Sequence, residues 1–159
     1  MSLQRFHDAQ ADSVDGYADA LSEMRRGHKS SHWIWYIFPQ IEGLGHSSTA
    51  HHFALRDLNE TRAYLRDPLL RAHYEEIAGV VAEQLSRGVK LGHLMGSSID
   101  ALKLTSSITL FHAVSQALVK EDPTFAALAQ CCDTILQQIA AQGYSPCAFT
   151  LECLTGTAS

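Results

Sequence analysis

The chain has 159 residues, 46% of them hydrophobic and 18% charged, with a formal net charge of −5 when histidine is neutral. That balance describes a folded domain with its own core rather than a disordered segment, and without a basic patch it argues against a nucleic-acid partner. No apolar run reaches the roughly 18–20 residues that cross a bilayer and Met1-Ser2-Leu3-Gln4-Arg5 lacks a hydrophobic signal core, so the expected setting is the cytoplasm, with no membrane partner.

A short helix is expected from about Leu3 to Ala9. Ser13 then reads as the cap of a helix from Val14 to Arg26, with Gly27 to end it. Val14, Tyr17, Ala18, Leu21 and Met24 recur at three and four residues and share one face. Next comes Ser31-His32-Trp33-Ile34-Trp35-Tyr36-Ile37-Phe38-Pro39-Gln40, which holds both tryptophans of the chain. A large apolar side chain gains roughly 1.5–3 kcal/mol on full burial, so this stretch belongs near the centre of the fold or at an interface. Its aromatic content suits a strand. A serine cap before it, Pro39 after it and the lack of a partner strand favour a short buried helix.

Glu42-Gly43-Leu44-Gly45 reads as a tight turn, without the full pattern of a phosphate loop. Ser47 is placed to cap a helix through His51, His52 and Leu55. Asp57 followed by Glu60 opens a helix to Arg66. Asp67-Pro68 opens another, carried by Leu69, Leu70, His73, Ile77, Val80, Val81, Gln84 and Leu85 and closed by Gly88. Residues 89–96 are looser. Ser97 or Ser98 caps a helix from Ile99 to Gln116, Asp122-Pro123 starts one through Gln142, and Ser145-Pro146 starts a last one to Leu154. The expectation is an all-α fold of about seven or eight helices in a single compact domain over residues 1–154, with a frayed tail at 155–159.

Cys131, Cys132, Cys147 and Cys153 form no C-x-x-C pair and read as small buried hydrophobes. His28 and His32 are four apart, but no third ligand is implied by spacing, so no metal site is assigned. The helix after Ser98 is more informative. Asp100, Lys103 and Ser107 sit on one face, with Ser106 bordering it. Thr105, Ser106, Ser107 and Thr109 are poor choices for a plain helix interior, because their hydroxyls compete for backbone bonds. Either small residues pack at a helix crossing, or the face is a polar wall for a ligand.

The segments His32 to Gln40, Gly43-Leu44-Gly45 and Asp100 to Phe111 resemble the bacterial DUF1810 family. The similarity runs from about Leu3 to Gln130, and Leu3-Gln4-Arg5-Phe6 and Ala63-Tyr64-Leu65 fit it too. The resemblance implies a compact, mostly helical domain with no agreed activity. The chain departs from the family pattern at Met95-Gly96, where a Phe-Gly is usual, and at His51-His52, where basic residues are common.

Two functional expectations follow. In the first, the His32–Gln40 segment and the Asp100–Thr109 helix enclose a pocket for a small polar or nucleotide-like metabolite, bound by His32, Trp33, Trp35, Gln40, Asp100, Lys103, Ser106 and Ser107. In the second, the aromatic and small-residue surfaces serve a non-catalytic interaction protein or homodimer. The residues name no reaction and no cofactor.

Overall fold

Side-chain caps start four of the ten α-helices in the computed structural model, which describes residues 3–156. Helix α1 spans Gln4–Ala11 and α2 Tyr17–Arg26. A single turn, α3, spans Ile34–Ile37. Ser47 Oγ accepts from the Ala50 amide to start α4, Ser48–Phe53. The Asp57 carboxylate accepts from the Glu60 amide to start α5, Leu58–Arg66. Asp67 accepts from the Leu69 and Leu70 amides above Pro68 to start α6, Pro68–Ser86. Then come α7, Leu91–Met95, and α8, Ser98–Leu118, whose first turn is capped by Ser97 Oγ on the Asp100 amide. A 3-10 turn at Pro123–Phe125 leads into α9, Ala126–Ala140, and α10 spans Ala148–Thr155.

The fold is all-α, with ten α-helices among the described residues. The short buried helix expected within 31–40 is the single turn at 34–37, and a further helical turn forms at 91–95, in the stretch read as looser, where tertiary packing supports a segment too short to be helical alone. The strand alternative for 31–40 reduces to one isolated bridge, between Ile41 and Leu55. Thr155 still closes α10; the remainder of the expected tail, 157–159, lies outside the described residues.

Helix α2 starts three residues later than its periodicity suggested. Val14 is 68% exposed rather than part of the core face. Asp15 adopts a left-handed backbone, and the Val14 amide turns back onto the Asp12 carboxylate. Gly16 follows because a Cβ there would sit 2.0 Å from the Asp12 carbonyl oxygen.

Helix α8 runs through the middle and packs against α5, α7, α9 and α10, while α6 bridges α9 to α2. Every residue from Leu104 to Phe111 is buried. Around it Tyr74 stacks on Phe111 at 4.1 Å, and Phe38 and Tyr64 meet these rings edge-on. Offset and edge-to-face ring contacts add roughly 0.5–1.5 kcal/mol each beyond area burial. Of the cysteines only Cys132 is fully buried; Cys131, Cys147 and Cys153 are partly exposed. No helix among the described residues is long and apolar enough to cross a membrane.

Candidate functional site

The aromatic segment is held in place by a carboxylate. Glu23, only 3% exposed, points its Oε1 at the loop entering α3, where it accepts from the Ser30 amide at 2.7 Å, the Ser31 amide at 2.8 Å and the Trp33 indole at 3.0 Å. Burial alone would raise its pKa, but the bonds from Ser31, Ser30 and Trp33 outweigh that and hold it at about 2. Lys29 completes the anchor. Its ammonium donates to the Ser31 carbonyl at 2.6 Å, pairs with Asp100 at 2.7 Å and lies over the Trp33 ring at 5.1 Å. The aromatic segment is thereby tied to the first turn of α8.

Between them lies a hollow of about 370 Å³, at the low end of small-molecule sites. One wall is α8, through Ile99, Leu102, Lys103, Thr105 and Ser106. The opposite wall is the loop carrying Gln40, Leu44 and Gly45, and Ser145 and Cys147 close the side before α10. The surface is mainly apolar. Thr105 and Ser106 are already engaged, with the Ala101 carbonyl and the Thr150 hydroxyl. The Lys103 ammonium lies over the Trp35 ring at 5.1 Å and stands 4.0 Å from Asp100, whose short contact belongs to Lys29.

Of the eight residues singled out from the sequence, Gln40, Lys103 and Ser106 line this hollow, and Trp35 adjoins it beneath Lys103. The other four lie elsewhere. Trp33 is fully buried against Glu23. Ser107 is buried on the opposite side of α8 and shares a hydrogen bond of 2.9 Å with the Tyr74 hydroxyl. Asp100 serves Lys29. His32 is exposed, its carbonyl accepting from the Tyr36 hydroxyl. The hydroxyl run on α8 thus has a structural account: Thr105 and Thr109 bond to carbonyls one turn back, Ser107 meets α6, and Thr109 accepts from the Cys147 amide.

The structure adds Leu44, Ile99, Leu102 and Cys147 to the site. Ile99 and Leu102 are 64% and 61% exposed. Two large apolar side chains three apart on the exposed side of the first turns of α8 mark a face that the rest of the fold leaves uncovered. His28 Nδ1 contacts the His93 carbonyl oxygen at 2.7 Å, and the two rings lean together. No group of three or more metal-ligating side chains occurs among the described residues.

A family profile described as "Protein of unknown function (DUF1810)" matches residues 1–141. The crystal structure of the conserved hypothetical protein Rv1873 from Mycobacterium tuberculosis is similar, with 34% identity, a TM-score of 0.72, and coverage of 86% of this chain and 85% of that one. No curated protein matches the chain.

Proposed function

The chain belongs to the DUF1810 family, and from that premise we propose that it binds a small molecule with an apolar body and one anionic head in the hollow beside α8. The observation that carries this is Lys103. Its ammonium sits on the wall of a largely apolar hollow, 4.0 Å from a carboxylate that another lysine holds at 2.7 Å. Two lysines share one aspartate, and the short contact belongs to Lys29, so the Lys103 ammonium is left without a close carboxylate partner of its own. A carboxylate there gains a charge-assisted hydrogen bond, and Leu44, Ile99 and Leu102 receive the apolar remainder.

The geometry favours this class over a nucleotide. A base needs an open aromatic face, whereas Trp33 is enclosed and the Lys103 ammonium lies over Trp35. It favours binding over a Ser–Lys reaction, because the Ser106 and Ser107 hydroxyls are engaged by Thr150 and Tyr74. Melting curves with nonanoate and with nucleoside phosphates test the reading. Saturation at about 100 times the dissociation constant stabilises by about 2.7 kcal/mol. Nonanoate should raise the melting temperature, Lys103→Met should remove most of that response, and nucleoside phosphates should give none. A nonanoate response unchanged in Lys103→Met, or absent from the wild type, refutes it.

The two exposed residues at the lip favour a second reading, in which Ile99 and Leu102 meet a second copy of the chain. Light scattering over a dilution series decides: a strict monomer at every concentration removes it.

A further inference from the structure

Helix α10 is lightly held, and it stands at the hollow. Ser145 and Cys147, on the segment that leads into it, form the side wall. Of the eight residues of α10 only Thr150 is buried, against five of the fifteen in α9. Leu151 is exposed, and Phe149, Cys153 and Leu154 are only partly covered. A helix of this length does not persist in water by itself, so α10 is helical because it is docked.

The docking bridges two walls of the hollow. On α8, Thr150 and Ser106 share a hydroxyl contact of 3.3 Å, and Thr109 accepts from the Cys147 amide at 3.1 Å. On the opposite wall Phe149 lies against Gly43, where a Cβ would sit 2.7 Å from the ring. The chain is fixed up to Tyr144, whose amide donates to the Ile139 carbonyl at 3.0 Å. Ser145 and Pro146 are exposed, and proline has no amide hydrogen to tie down. Elements with few buried apolar side chains open locally at low free energy, and the moving parts of binding sites are drawn from them.

We propose that α10 is a clasp on the hollow: it leaves α8 and unwinds as a unit about Ser145-Pro146, and a ligand in the hollow holds it down. The proposal rests on the binding role above. Ser145 and Cys147 line the hollow together with Ile99, Leu102 and Lys103 of α8. A ligand that fills it touches both sides of the joint, and gains the contacts to Ser145 and Cys147 only while α10 is docked. That difference in affinity between two states is what couples binding to a conformational change. Release removes the side wall and takes Thr150 and the Cys147 amide away from Ser106 and Thr109.

Hydrogen exchange of the full chain, read amide by amide by NMR, tests the clasp. Without ligand, the amides from Leu151 to Thr155 should share one protection factor, at least about a hundredfold below that of the buried turns of α9. Phe149→Ala should lower it by about tenfold and leave α9 unchanged. Nonanoate at about 100 times its dissociation constant should raise it by about tenfold or more, the ceiling being about a hundredfold for an acid that binds the docked state alone. Protection equal to that of α9 makes α10 a fixed part of the core and overturns the clasp. Protection that falls steadily toward Thr155 is end fraying and overturns it too. A melting temperature raised by nonanoate with α10 exchange unchanged overturns the clasp and leaves the acid site standing. If nonanoate changes neither, the binding role fails and the clasp falls with it.

Discussion

Replacing Glu23 by glutamine removes one charge from the carboxylate that organises the aromatic segment, while keeping its size. Its Oε1 accepts three hydrogen bonds, from the Ser30 amide, the Ser31 amide and the Trp33 indole. Hydrogen bonds to a charged acceptor contribute about 1.5–3 kcal/mol and neutral ones about 1 kcal/mol, so losing the charge costs on the order of 2 kcal/mol across the set. Proton linkage provides a second route. The carboxyl is held at about 2 against an ordinary 4.5, an upper limit of roughly 3 kcal/mol that solvent screening brings toward 2 kcal/mol. Because the folded carboxyl has the depressed pKa, this stability is fully present above pH 4.5 and is lost as the pH falls toward 2. For a chain of this size Glu23→Gln should lower the melting temperature by about 4–8 °C at neutral pH. Urea unfolding followed by tryptophan fluorescence at a series of pH values reads both effects. The gap between wild type and variant should narrow on acidification, as the wild type loses what the variant never had. A variant as stable as the wild type at neutral pH, or a gap that stays constant down to pH 3, refutes the reasoning.

Other residues make comparable demands. Lys29→Met leaves Asp100 without its 2.7 Å partner; breaking a buried pair costs about 3–5 kcal/mol, reduced here to about 2–3 kcal/mol because Lys103 remains nearby, as chemical denaturation will show. Gly96→Ala sets a Cβ 2.7 Å from the Lys29 carbonyl at a φ of +82°, whereas Gly88, at +94°, has nothing within 4 Å. Both alanines carry backbone strain of about 1–2 kcal/mol, and only the first adds a clash, so equal losses of melting temperature would contradict the packing described. Ser107→Ala strands the buried Tyr74 hydroxyl and should cost about 1–3 kcal/mol, part of which Tyr74→Phe restores in the double variant; strictly additive losses in the cycle would deny the bond.

Helix starts were legible because capping is local. Asp57, Asp67 before Pro68, and Ser97 each bond to amides two or three residues ahead, within reach of any sequence window. The start of α2 was not, because Val14 satisfies the apolar spacing while Asp15 and Gly16 turn the chain away from it. Asp100 and Lys103, three apart on one helix, share a face; the closer partner of Asp100 comes from Lys29, seventy-one residues before it, and no local rule points to it. That the buried Trp35 indole nitrogen finds no acceptor among the described residues had no trace in sequence, since Trp33 and Trp35 differ only in what the fold places beside them.

What the sequence by itself determined was the class and the landmarks: an all-α chain, a family resemblance carried by two motifs, and the side chains from which a site would be drawn. Only the tertiary structure decided which of those side chains face the hollow. Periodicity reveals a face when water lies on one side and core on the other. From Leu104 to Phe111 α8 is buried all round, so the pattern falls silent. There Ser106 and Ser107, adjacent and alike, are directed by their neighbours to Thr150 at the hollow and to Tyr74 in the core.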